Sequence, residues 1–148
     1  LILSGDKDYI QLHSYANVSQ YDPVRKRWIR NSDPHKYLQE HIIKGDVGDG
    51  VPNILSADNC LAVGERQKPM TSKRLHAFLT EAQDAMDEET KLRYNRNKKM
   101  IDLSQIPEEF KEPVLTEYSK DKGFAREKLF NFFVEKKLKN LMTDIQDF

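Results

Sequence analysis

Asn31-Ser32-Asp33-Pro34 opens, and Gly45-Asp46-Val47-Gly48-Asp49-Gly50-Val51-Pro52 closes, the stretch whose reading decides the fold. A Ser or Asp followed by Pro in the first turn is a helix start. The side chain satisfies a free backbone N–H, and proline has none to satisfy. Tyr37, Leu38, His41 and Ile42 then recur at helical spacing. Three glycines and a proline between residues 45 and 52 end that helix in a tight turn. Ile54 to Leu61 suits a short second helix, so the region reads as helix, turn, helix.

Upstream, Leu1-Ile2-Leu3 suits a short buried strand. An apolar run at position 1, beginning with Leu rather than Met, reads as the end of a longer strand, with sequence expected before it. Ser4 to Asp8 is a polar turn, and Tyr9 to His13 begins a short helix. Val18 to Arg30 holds two extended pieces around Tyr21-Asp22-Pro23, which predicts a hairpin; Trp28 beside Arg27 suits stacking on a base or, as is commoner for a hairpin Trp, the core. Downstream, helices are expected over 71–86, 88–100, 108–120 and 126–147, the last one broken. The fold class is therefore a small α/β beginning, strand end plus hairpin, leading into a mostly helical remainder.

With 38% hydrophobic and 32% charged residues, the 148-residue chain can build a modest core. Lys+Arg and Asp+Glu are 24 each, which argues against a polycation that binds nucleic acid by bulk charge. One cysteine, Cys60, excludes an internal disulfide and a thiolate zinc cluster, and fits a reducing cytoplasm. No apolar run approaches the roughly 20 residues of a membrane span.

Two acidic pairs carry the candidate chemistry. Asp6 and Asp8 are two apart, so on an extended segment leaving a strand they share one side. Asp46 and Asp49 are three apart, neighbours on one face if the turn is helical. Oxygen donors without His or Cys suit hard cations, Mg²⁺ or Mn²⁺. A cation is also the simplest reason for four carboxylates to converge, since together they repel. The competing reading is ordinary turn and cap chemistry, which Asp in a glycine-rich turn commonly performs. The turn has a second use: backbone N–H groups at Gly45, Gly48, Gly50 and Val51 can grip phosphate, with Lys44 adding a point charge. Its competitor is a plain helix–turn–helix corner. Basic stretches at Arg25 to Arg30, Arg93 to Lys99 and Lys136 to Lys139 can neutralise phosphates, Arg25 and Arg27 foremost, or be solvated faces. His13, His35, His41 and His76 show no metal spacing, and His41 reads as structural.

Ser4-Gly5-Asp6-Lys7-Asp8 followed by Gly45-Asp46-Val47-Gly48-Asp49-Gly50-Val51-Pro52 resembles the flap endonuclease/5′–3′ exonuclease family. There a strand-end S-G-D-x-D precedes a G-D-x-x-D-N-x-P-G turn by some forty residues. Tyr94-Asn95-Arg96, Ile101-Asp102 with Ile106-Pro107, and the tail from Phe132 are similar to one branch, the ribonucleases H of T4-like phages. The resemblance implies that residues 1–62 are the later part of a nuclease domain, with a helix–three-turn–helix clamp over about 34–57, and that 63–148 is a helical C-terminal region. It implies Asp6, Asp8, Asp46 and Asp49 as second-metal carboxylates in a two-ion phosphodiester hydrolase. The implied substrate is an RNA·DNA or DNA duplex with a 5′ end or flap, in host cytoplasm, acted on by a monomer. In some members a K⁺ ion sits on turn carbonyls. Two other readings stay open from the residues: a non-catalytic duplex-binding module, and a docking domain in which residues 71–148 serve a replication partner such as a phage single-stranded-DNA-binding protein. The family's other acidic residues would precede position 1, so this chain is expected to carry half a site and to be inactive alone. Gly50 stands where Asn is common, and Asn53 where Gly is.

Overall fold

The computed structural model describes residues 1–80, 86–120 and 126–147, in two compact units, Leu1–Pro107 and Glu108–Phe148. Residues 81–85 of the first expected downstream helix, Gly123 between the last two, and Phe148 lie outside the described residues.

The first unit opens with a three-stranded sheet. β1 (Ile2–Leu3) runs parallel to β2 (Gln20–Asp22), which pairs antiparallel with β3 (Arg27–Ile29). The β1–β2 crossover is a 3-10 turn over Asp8–Ser14. Asp22 fastens the hairpin. Its Oδ1 accepts the N–H groups of Val24 and Arg25, both at 3.0 Å, and its Oδ2 accepts Arg25 Nη1 at 3.2 Å. The backbone N–H of Arg25, foremost among these bonds, holds the Asp22 carboxyl below the usual range against the opposing effect of burial. Two expectations change here. Leu1 and Leu3 are 73% and 65% exposed rather than buried, because β1 is two residues long and at a sheet edge. Trp28 is 53% exposed, since β3 is the other edge, and its ring meets Tyr21 edge-on at 5.2 Å.

α1 (Pro34–Lys44) starts as expected, with Asp33 Oδ1 accepting the Lys36 N–H at 2.9 Å and Pro34 at the first position. It buries Ile42 and Ile43, which join Val51, Ile54, Met86, Tyr94 and Ile101 in one core. α2 (Ser72–Thr80) and α3 (Glu88–Ile101) follow, α3 capped by Asp87 on Thr90 N–H at 2.8 Å. The helical stretch expected from residue 63 thus contributes its first helices to the core that also holds α1. The second helix expected over Ile54 to Leu61 does not form, and consecutive turns occupy 54–64 except at residue 57. Asn53 and Ser56 fasten this irregular segment to the chain at Lys68. Asn53 Oδ1 accepts from Leu55 N–H and Ser56 Oγ, its Nδ2 donates to the Lys68 carbonyl, and Ser56 Oγ accepts the Lys68 N–H.

The second unit comprises α4 (Glu108–Ser119), α5 (Arg126–Glu135) and α6 (Lys139–Thr143). The expected break near its end falls at Lys137, whose φ is 55°. Among the described residues no helix is long and apolar enough to cross a membrane.

Candidate functional site

The site forms where the loop after β1 meets the end of α1. Asp6 does not continue the strand. Its Oδ1 accepts the Asp8 N–H at 2.9 Å and turns the chain into the 3-10 segment, so the two carboxylates are related by a capping turn, not by an extended pleat. Gln20, fully buried on β2, holds this loop through Nε2, which donates to the carbonyls of Ser4 at 2.8 Å and Asp6 at 2.6 Å. Gly5 is required beneath it: a Cβ there would stand 2.9 Å from Asp22 Oδ2.

The glycine turn is closed by its own backbone. Val51 N–H donates to the Asp46 carbonyl at 2.7 Å, and Gly45 takes a φ of 68°. A side chain at Gly45 would place Cβ 2.4 Å from the Val51 carbonyl oxygen. Asp46 Oδ1 accepts the Gly48 N–H at 2.9 Å, Gly45 N–H donates to the His41 carbonyl at 2.8 Å and Gly50 N–H to that of Val47 at 3.2 Å, so the four N–H groups expected to face phosphate are all spent inside the turn.

His41 joins the two acidic pairs. Its Nε2 lies 2.9 Å from Asp46 Oδ2 and its Nδ1 lies 3.6 Å from Asp8 Oδ1, although these aspartates are 38 residues apart in sequence. Nδ1 is buried and makes no hydrogen bond. Burial, and next the charge of Asp6, raise the Asp8 carboxyl above its usual range; His41 opposes them, and Asp49 and Asp46 add to them. Burial raises Asp46 as well, but the His41 hydrogen bond and the Gly48 N–H outweigh it and leave that carboxyl low. Tyr37, stacked edge-on against His41 at 5.8 Å, is raised by burial and then by Asp8, Asp46 and Asp6. All four aspartates therefore act electrostatically on one neighbourhood.

An open cleft of about 370 Å³ adjoins it, walled by Lys7, Tyr37, His41, Lys44, Gly45 and Asp46. Lys44 pairs with Glu40 at 2.6 Å. The donor chemistry, carboxylate oxygens with excess negative charge, fits a hard divalent cation. Among the described residues, however, no three His, Cys, Asp or Glu side chains gather closely enough to cage an ion. Arg25 is tied to Asp22, whereas Arg27 lies exposed on β3. Arg93 and Arg96 are held by Glu89 and Asp58, so these two bases are engaged within the protein.

His41 is the site residue that spacing missed. It had a signal: it stands in the last turn of α1, one turn before the helix-ending Gly45 and five residues before Asp46.

Known proteins bear on this geometry. The family described as T4 RNase H, C terminal, matches residues 34–148. Ribonuclease H of Enterobacteria phage T4 is 30% identical over an alignment of 156 residues. That alignment covers 100% of this chain and 51% of the phage protein, so the chain spans about half the length of that relative.

Proposed function

Because the chain belongs to the T4 RNase H family, a nuclease family, we propose that it supplies one carboxylate half-site and the duplex-gripping turn of a 5′ nuclease. The substrate is an RNA·DNA or DNA duplex with a 5′ end or flap, and the task is removal of RNA primers in phage DNA replication. The observation that carries the reading is the meeting of Asp8 and Asp46 on His41, beside a glycine turn and a lysine-walled cleft.

Asp6, Asp8, Asp46 and Asp49 would hold divalent cations, Mg²⁺ or Mn²⁺, which when bound stabilise charge on the attacking and leaving oxygens. The protein's own contribution is positional. The capping turn and Gln20 fix the first pair, and the Val51 bond to the Asp46 carbonyl fixes the second. His41 keeps Asp46 ionised and oriented toward the cleft. Lys44 and the exposed surface of the turn around Val47 receive the duplex backbone, which locates the strand without reading its bases. By the same reading the chain alone cleaves little or nothing.

A rival reading, a non-catalytic duplex-binding module, draws on the absence of any three-donor cluster among the described residues. Mn²⁺ titration separates the two. The nuclease reading expects weak Mn²⁺ binding that Asp8→Asn and Asp46→Asn each reduce. Mn²⁺ binding that ignores both changes sinks the half-site. Incubation of the chain with Mg²⁺ and a 5′-labelled RNA·DNA duplex should yield little product, and rapid cleavage would overturn the inactivity of the chain alone.

A further inference from the structure

α3 braces the glycine turn from behind with two adjacent side chains. Asn97 is fully buried, and its Nδ2 donates to the carbonyls of Ile42 at 2.9 Å and Pro52 at 2.8 Å. One carbonyl belongs to the last turn of α1 and the other to the exit of the glycine turn, so a single amide spans both ends. Arg96 fixes which way that amide faces. Its Nε and Nη2 donate to Asn97 Oδ1 at 3.0 and 2.7 Å, which leaves only Nδ2 for the carbonyls. Arg96 Nη2 adds a bond to the Pro52 carbonyl at 3.2 Å, and its Nη1 pairs with Asp58.

This brace matters because the usual support is missing. In a helix–turn–helix corner the second helix holds the exit of the turn. Here the chain after Pro52 runs through irregular turns, and α3 takes that place. A surface that receives a duplex backbone works only while it is held in place, and displacements on the order of 1 Å are enough to forfeit much of an oriented contact.

Resting on the proposal that residues 45–52 grip a duplex backbone, we infer that Arg96 and Asn97 are positioning residues that set duplex affinity without touching the duplex. They act by holding the Ile42 and Pro52 carbonyls at a fixed separation. The competing possibility is that they only complete the core.

Fluorescence anisotropy with a labelled duplex decides between these, combined with a stoichiometric titration that counts binding-competent molecules. Asn97→Ser removes the two-carbonyl span and should raise Kd roughly tenfold, the equivalent of one lost buried hydrogen bond. The competent fraction should stay near that of the parent chain. The slope of log Kd against log salt should also hold, since no phosphate contact is lost. Arg96→Lys keeps the charge but loses the fork, and should raise Kd a few-fold at the same slope; it carries the test if Asn97→Ser fails to fold. A core-only role would lower the competent fraction with Kd unchanged, and that result overturns the inference. So does a salt slope that falls by about one in Arg96→Gln, which removes the charge that a direct phosphate contact would need. Val47→Glu, an exposed turn position, serves as the reference. If it weakens binding while both α3 variants leave Kd alone, only the brace is lost. If it leaves Kd unchanged, the turn does not grip the duplex and both readings fall.

Discussion

The loop carrying Asp6 and Asp8 and the turn carrying Asp46 and Asp49 are held in the same way, each by one buried amide that donates to two carbonyls. Gln20 does this for the loop and Asn97 for the turn. The difference is where the amide comes from. Gln20 stands on the neighbouring strand, 16 and 14 residues from its acceptors, whereas Asn97 stands on α3, 55 and 45 residues from its own. The first pair is therefore positioned by a local hairpin unit. The second depends on the packing of the whole core, because α3 must dock on α1 before Asn97 can reach. The first pair thus leans on the hairpin, the second on the packing of α3 against α1.

That contrast is sharpest at Gly45. Replacing it with Ala forces a Cβ to 2.4 Å from the Val51 carbonyl oxygen at a positive φ, so a loss of about 3 kcal/mol or more is expected in thermal unfolding. An unchanged melting temperature would show that the turn is not closed as described. Gln20→Leu comes next, leaving the Ser4 and Asp6 carbonyls without a donor at about 2 kcal/mol. It should weaken Mn²⁺ binding while duplex affinity changes little, whereas Asn97→Ser, which loosens the turn that carries Asp46, should weaken both. Equal effects of both variants on both ligands would erase the distinction between the regions.

Asp22 tests the hairpin side through pH. Its folded carboxyl is lowered, so its contribution to stability is present above the unfolded value of about 3.9 and is lost as pH falls through the folded value. Asp22→Asn should therefore be less stable than the parent at neutral pH, with the gap closing below about pH 4. A gap that persists in acid would assign the effect to geometry rather than charge. The smallest change expected is at Asp33→Ala, which removes the α1 cap at about 1 kcal/mol and should leave both carboxylate pairs in place. A loss of Mn²⁺ binding there would mean that the start of α1, not its end, positions Asp46.

Several features were legible in sequence because their causes are local. Asp33-Pro34 and Gly45 marked the ends of α1, Asp22-Pro23 marked the hairpin, and the two aspartate pairs stood out by spacing together with their resemblance to a nuclease family. Whatever depended on partners far along the chain was not legible. Trp28 reads as core by its type, yet edge placement leaves it exposed. Ile54 to Leu61 has helical composition, yet it forms irregular turns that Asn53 and Ser56 fasten to Lys68, 15 and 12 residues further on. His41 reads as structural until α1 packs beside the 3-10 segment and sets Asp8 against its second nitrogen. Local capping and turn chemistry act over a few residues and leave a mark in the sequence. The meeting of Asp8, His41 and Asp46, and the reach of Asn97 to the turn, exist only once burial of Ile42, Ile43, Tyr94 and Ile101 has drawn distant segments together.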